Sequence, residues 1–404
     1  MLLISVEQAL AHLLNDAAPI ATATESVDLL DADTRVLATD IVTQSDLPPF
    51  DASAMDGYAV RNADLRTLPT TLRVVGEAAA GTAHAGAVNA GEAVRIFTGA
   101  PVPDGADAIV IQENTARDGD TVTVTGGRVE AGHIRRRGFD SAAGTTVLQR
   151  GTILSPRTLT LAAALGHPAV EVLRQPRVAV LATGNELVLP GTEATGARIV
   201  CSNPFGVVTI ARRSGADAQF LGIAKDTEAD LNAHLDRAHD ADIVVTIGGA
   251  SVGDHDLVGP VLKQRGVAFD FWKVAMRPGK PLMFGRGNDG TLYLGLPGNP
   301  VSALVCARVF LAPLVAARAG RTAERLDAQM LPLSEPMAAN GPRKHFMRAV
   351  RSSGSDGADT VRALDNQDSS LLTRLAAANA LIVREPSAEA LDIGDHVAVL
   401  GLDF

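Results

Sequence analysis

Three stretches, VAVLATGNEL (Val178 to Leu187), IVVTIGGASVGD (Ile243 to Asp254) and LYLGLPGNPVSA (Leu292 to Ala303), each run a short apolar strand straight into a glycine turn. Helical segments alternate with them near 204–213, 228–239, 256–265 and 300–318, and a further strand is expected near 218–223. Strands alternating with helices predict a parallel sheet whose strand ends all open on one edge. Glycine lets the main chain approach a ligand there, and helix N-termini offer unpaired N–H groups and a positive dipole end. Asn299 before Pro300 is a good N-cap with proline in the first turn. The expectation is a phosphate-bearing ligand held at that edge.

Outward from this core the punctuation changes. LRQPR (Leu173 to Arg177) reads as a linker, and Leu154 to Leu165 as a helix with Ser155 as N-cap and Pro156 in first position. Short strands AVRIF (93–97), DAIVI (107–111) and TVTVT (121–125), separated by Gly/Pro/Asp turns, predict a small β-rich domain. LPPF (Leu47 to Phe50) breaks any helix before it. Leu2, Val6, Ala9, Leu10 and Leu13 share one helical face, and the tail from about 325 returns to short strands ending in HVAVLGL (His396 to Leu402). The chain is thus expected to be a multidomain α/β plus β protein with a mostly parallel central sheet.

The bulk numbers exclude several classes. At 404 residues and 46% hydrophobic content the chain is long enough for several packed domains. A formal charge of −10 argues against non-specific nucleic-acid binding, so an anionic ligand needs a local basic patch against a repulsive background. Cys201 and Cys306 form no disulfide framework and no zinc spacing. The N-terminal stretch carries Glu7 and no basic leader, and the apolar run 301–317 is interrupted by Arg308 and too short for a bilayer. A soluble, cytoplasmic protein without nucleic-acid or membrane partners is expected.

The densest turn, GGASVGD, places Gly248, Gly249 and Gly253 around Ser251. It is neither GxGxxG nor a Walker loop, since the one GK pair, Gly279–Lys280, precedes Pro281. One such turn serves equally well as a bare strand-to-helix reversal; three on one edge favour a ligand. Acids stand where strands end: Asp56, Asp140, Glu186, Asp254 and Asp256. Taken singly each suits a cap or Asx-turn, but carboxylates beside a phosphate-binding edge also suit Mg²⁺ and phosphoanhydride chemistry. Basic residues gather at Arg135 to Arg137, at Lys273, Arg277 and Lys280, and at Arg343, Lys344 and Arg348. Lys280, between Gly279 and Pro281, loses little entropy on meeting an oxyanion. His255 has no second histidine at ligand spacing and Cys306 sits in an apolar helix, so both read as structural. No GxSxG elbow marks a serine hydrolase.

Seven stretches, PPFDASAMDGYAV (48–60), RIFTGAPVPDGADAIVIQE (95–113), GHIRRRGFD (132–140), LATGNELV (181–188), IGGASVGDHDLV (247–258), MRPGKPLMFG (276–285) and LGLPGNPVSALV (294–305), resemble the molybdopterin molybdenumtransferase family in family order. That family makes molybdenum cofactor in the cytoplasm and includes the C-terminal domain of gephyrin. The resemblance implies an elongated homodimer. Its parts would be a discontinuous N-terminal domain at 1–47 and 140–175, a β-rich domain inserted at 48–139, an α/β molybdopterin-binding domain at 176–324 and a C-terminal β-barrel-like domain at 325–404. The implied reaction inserts molybdate into the dithiolene of adenylated molybdopterin, cleaves the adenylate with Mg²⁺ and releases AMP. A transient contact with the molybdopterin adenylyltransferase that supplies the substrate is implied too.

Carried over by position, Asp56, Thr98, Asp140 and Glu186 match catalytic residues, with Asp56 and Glu186 as metal-holding acids. Arg135, Gly248, Gly249, Ser251, Gly253, Asp256, Lys273 and Arg277 match substrate-binding positions. Lys280, Pro297, Pro300, Ser302 and Arg348 match a molybdate pocket. Two departures stand out. Arg277 replaces a lysine common in bacterial relatives, exchanging a point charge for a planar fork, and Asn185 stands where acids are common. A receptor-clustering scaffold of the same fold, or a binding protein without turnover, is the competing class, and the intact acids and glycine turns favour catalysis.

Overall fold

Asp242 sets the register of the central sheet. Its carboxylate accepts both arms of the Arg174 guanidinium at 3.0 and 2.9 Å and the Arg177 N–H at 2.7 Å. Its N–H donates to the Arg177 carbonyl at 2.9 Å, and its carbonyl accepts from Leu292 N–H at 3.0 Å. One residue therefore fixes the starts of the strands Arg177–Thr183, Ile243–Ile247 and Leu292–Leu296.

The structure, a computed structural model, describes residues 3–15, 17, 23–126, 133–249, 257–321, 328–354 and 357–402. The chain divides into two units. One comprises Met1–Val27, Thr34–Ala38 and Glu171–Phe404, the other Asp28–Asp33 and Thr39–Val170.

In the first unit the sheet runs Asp217–Ala224, Arg177–Thr183, Ile243–Ile247, Leu292–Leu296, Pro281–Arg286, Ala268–Lys273. The first four strands are parallel and the last two are antiparallel additions. The sheet is therefore mixed. The strands expected at 178–182, 243–247 and 292–296 are found within a residue of their limits, because fully buried apolar runs flanked by glycine are the plainest strand signal. Ala268–Lys273 escaped notice because AFDFWK mixes Asp270 and Lys273 into a half-exposed edge strand. Helices Asn203–Arg213 and Pro300–Cys306 pack on one face, and Glu228–Asp236 and Val258–Gln264 on the other.

The helical run from Pro300 to Arg318 is the one among the described residues long and apolar enough to cross a membrane, but 72% of its window is buried in this core. It is not one uniform α-helix. Ala307–Leu311 forms a wide π turn just before Pro313, whose ring and missing N–H disfavour a regular turn there. The helix Val6–Asn15 buries Val6, Ala9 and Leu13 in the same core.

A second six-stranded sheet in this unit orders Met276–Arg277, Lys344–Ser353, Ala380–Arg384, His396–Gly401 and Gln329–Pro332, with Asp359–Ala363 on the other side of Lys344–Ser353. Met276–Arg277 is its edge strand, and Pro281 then begins a strand of the central sheet. The segment MRPGKP is thereby tied to both sheets.

The other unit is built on a six-stranded sheet in the order Ala108–Ile111, Gly57–Val60, Glu92–Ile96, Thr70–Ala78, Thr121–Val124, Thr115–Asp118. A helix, Pro156–Ala164, follows with Ser155 and Thr158 closing a reciprocal capping box. If the Asp242 clamp sets the sheet register, Asp242→Ala destabilises the protein by about 2 kcal/mol, since several bonds to one part-buried charge are lost. A urea midpoint unchanged from wild type would contradict this.

Candidate active site

The C-terminal ends of the parallel strands open on a cleft of about 780 Å³. Its floor is main chain: Thr183 and Gly184, Ile247 to Gly249, and Pro297 to Pro300. Gly248 N–H donates to Leu296 O at 3.1 Å, and a Cβ at Gly248 would stand 2.8 Å from Thr183 O with φ at +90°, so only glycine closes the floor. Two helix starts face the cleft, at Ser202 to Pro204 and at Asn299 and Pro300. They are tied together: Asn203 Nδ2 donates to Gly298 O at 2.7 Å, and Asn299 Nδ2 to Ser369 Oγ at 3.0 Å.

Among the described residues two carboxylates line the cleft, Glu186 and Asp226. Glu186 is exposed and folds back over Gly184, where a Cβ would stand 2.6 Å from its Oε2. Asp226 Oδ2 accepts from Asn185 N–H at 3.0 Å, and Asn185 Oδ1 accepts from Asp226 N–H at 3.2 Å. Asn185 thus braces Asp226. Sequence reasoning passed over Asp226 because its strand, Asp217–Ala224, ends without a glycine turn, yet it ends on the same edge. Ile199 and Val200, 56% and 45% exposed, form an apolar wall. Among the described residues no lysine or arginine lines this cleft.

The expected site residues therefore fall into groups. Glu186, Gly248, Gly249, Pro297 and Pro300 line the cleft. Lys280 is exposed beside it, one residue before the lining Pro281. Gly279 packs on Cys306, with room for no side chain: a Cβ there would stand 2.3 Å from Sγ. Ser302 is buried in its helix, while Lys273 and Arg277 lie at the sheet junction. Ser251, Gly253 and Asp256, with Asp254 and His255, lie outside the described residues.

Arg348 is 1% exposed and does not line the cleft. Its guanidinium donates to Gln367 Oε1 at 3.3 Å, Leu371 O at 3.1 Å and Asn366 O at 3.1 Å. Burial pushes its pKa below the usual arginine value. It braces the 366–371 loop, whose Ser370 does line the cleft and whose Ser369 carbonyl accepts from Val301 N–H at 3.1 Å.

The remaining acids form a second constellation in the other unit. Asp56 Oδ1 accepts from both the N–H and the hydroxyl of Thr98, each at 2.8 Å. These two bonds, the backbone one first, hold the Asp56 pKa below the usual carboxylate range, with the charge of Arg95 adding to them. Ile134–Arg135 pairs with Ala52–Ser53, which brings Arg135 to the start of the same turn. Arg136 and Arg137 are ion-paired to Asp51 and Asp46, while Arg135 is exposed without such a pair among the described residues. Asp140 is fixed through its N–H to Leu47 O at 2.9 Å, with its side chain exposed.

Comparison with known proteins places this arrangement. The sequence is 35% identical over 400 residues to the molybdopterin molybdenumtransferase of Haemophilus influenzae, covering 98% of each chain. The chain belongs to the molybdopterin molybdenumtransferase family. A Mycobacterium tuberculosis relative, molybdopterin molybdenumtransferase 2, is 40% identical over 367 residues, 88% of this chain and 90% of its own. Family models match along the chain: the MoeA N-terminal region (domain I and II) at 4–166, the probable molybdopterin binding domain at 179–317, and the MoeA C-terminal region (domain IV) at 330–402. The molybdopterin biosynthesis MoeA protein of Pyrococcus horikoshii superposes with a TM-score of 0.82 at 28% identity, over 100% of both chains. The fold is the MoeA-like multidomain fold.

The cleft also holds a thiol that sequence reading left aside. Cys201 is buried, and burial together with the charge of Glu186 pushes its pKa up to about 11. At neutral pH it is a thiol, not a thiolate. Its alkylation by iodoacetamide in the folded protein should run at least about a hundredfold slower than that of an ordinary free cysteine, followed by mass of the modified peptide. Glu186→Gln should speed it modestly; labelling at the free-thiol rate would overturn the burial described here.

Proposed function

We propose that this chain is a molybdopterin molybdenumtransferase that joins molybdate to the dithiolene of adenylated molybdopterin, with cleavage of the adenylate and release of AMP. The observation that carries the reading is the cleft itself, in a chain so similar to relatives named for this transfer. Its main-chain N–H groups and helix starts suit the oxygens of a phosphoanhydride. The Ile199–Val200 wall suits the flat face of a pterin. Glu186 and Asp226 supply hard oxygen donors, and Glu186 has no protein partner among the described residues, so the donor set fits a magnesium ion shared with substrate phosphates. Such an ion, when bound, supplies Lewis-acid stabilisation of the departing phosphate charge.

Among the described residues the cleft lining has no lysine or arginine to act as its cation. We assign that role to Arg135, which with Asp56, Thr98 and Asp140 would come from a second copy of the chain in a homodimer. Lys273 and Arg277 would serve substrate from the sheet junction, where the arginine fork grips an oxyanion by two bonds in place of one. Molybdate would sit toward Pro297 and Pro300, approached by Lys280, with Ser302 behind the helix start and Arg348 holding the 366–371 loop in place. Delivery of substrate by a transient contact with the adenylyltransferase, in the cytoplasm, belongs to the same proposal.

Molybdate-dependent AMP release from adenylated molybdopterin tests it. Asp56→Asn and Glu186→Gln should each slow release by about a hundredfold or more, as expected for removing a charge the transition state needs. Because the two acids would belong to different copies, an equal mixture of the two inactive variants, after subunit exchange, should recover about a quarter of the wild-type rate. Full activity of either single variant overturns the assignment of that acid. Absence of recovery on mixing overturns the shared site.

A further inference from the structure

Arg95 lies in the strand Glu92–Ile96, directly opposite Tyr58 in Gly57–Val60. Its Nη1 donates to Gly57 O at 3.2 Å and its Nη2 to Gln112 Oε1 at 2.8 Å. The guanidinium lies over two rings, with centroid distances of 5.2 Å to Tyr58 and 4.7 Å to Phe97. Gly57 follows Asp56 and Phe97 precedes Thr98. Gln112 is the residue whose N–H donates to Asp56 O at 3.1 Å. The side-chain hydrogen bonds of Arg95 among the described residues thus fall on the neighbour of Asp56 and on the residue that anchors it.

We propose that Arg95 is a positioning residue for Asp56: its planar fork and its contacts with two rings lock the turn that carries the carboxylate onto the strand end that carries Thr98. The inference rests on the reading of Asp56 as a site acid. An arginine in a sheet commonly pairs with an acid across the strand. Glu77 stands opposite Arg95 on Thr70–Ala78, yet no ion pair joins them among the described residues. The donors go instead to a carbonyl and an amide on the far side, next to Asp56. Both rings lie within cation–π distance of the guanidinium, while its N–H groups make the hydrogen bonds. Lysine has the charge but neither the fork nor the flat faces, so it replaces this function only in part. The positive charge also favours the ionised form of Asp56, in support of the geometry. Misplacement of a reacting or metal-holding group by a fraction of an ångström slows turnover without weakening substrate binding.

A double-mutant cycle on AMP release separates this from a general structural role. Arg95→Met should lower kcat about tenfold or more with KM within about twofold, and Arg95→Lys should fall between it and wild type. Combined with Asp56→Asn, Arg95→Met should cost nothing further, because the group it positions is already gone. Should Arg95→Met fail to fold by circular dichroism, Arg95→Lys and Gln112→Met carry the same cycle. Losses that add independently to that of Asp56→Asn, or a wild-type kcat for the Arg95 variants beside a slow Asp56→Asn, overturn the positioning role alone. A wild-type rate for Asp56→Asn overturns the reading of the site and this inference with it.

Discussion

The alignment of three parallel strands at Asp242 governs everything downstream of it. A parallel strand rises by about 3.3 Å per residue, so strands that start level and run the same length end level. Val178–Ala182, Ile243–Ile247 and Leu292–Leu296 pair residue for residue, and one carboxylate and one peptide unit join them where they start. Their ends then bring Gly184, Gly248 and Gly298 onto one floor. A slip of one residue in any strand would turn a glycine away and put a side chain where Thr183 O and Leu296 O now meet Gly248.

That floor answers a problem set by composition. A protein of formal charge −10 must hold an anionic ligand against its own field. Here the cleft uses dipoles: glycine amides and two helix starts, with carboxylates at the rim that a divalent cation can convert from repulsive to attractive. The other unit holds its acid differently. Asp56 keeps its charge through two bonds from Thr98, so it stays an acceptor across the ordinary pH range.

The strands that build the floor were legible because a buried apolar run ending in glycine leaves few alternatives. The resemblance also named Asp56, Thr98, Glu186 and Gly248 as site residues; Asp56 meets Thr98 in one unit and Glu186 lines a cleft with Gly248 in the other. What stayed hidden depends on tertiary contact. Asp226 carries no local signature and matters only because its strand ends beside that of Thr183. Arg348 looks like any surface arginine in sequence, but folding buries it on three acceptors of one loop. The wide turn at Ala307–Leu311 is invisible in sequence, since ARVFL carries no glycine or proline of its own to mark a change of helical pitch. Arg95 resembles an ordinary strand cation until its two rings and two acceptors are placed around it.

Met276–Arg277 closes the edge of one sheet, and Pro281, four residues after Arg277, opens a strand of the other. Lys280 is therefore hung between two frames, like a hinge pin shared by two leaves. Any shear between the frames moves the lysine and with it the charge offered at the mouth of the cleft. The tail of the chain in that sense helps to set where Lys280 stands beside the cleft.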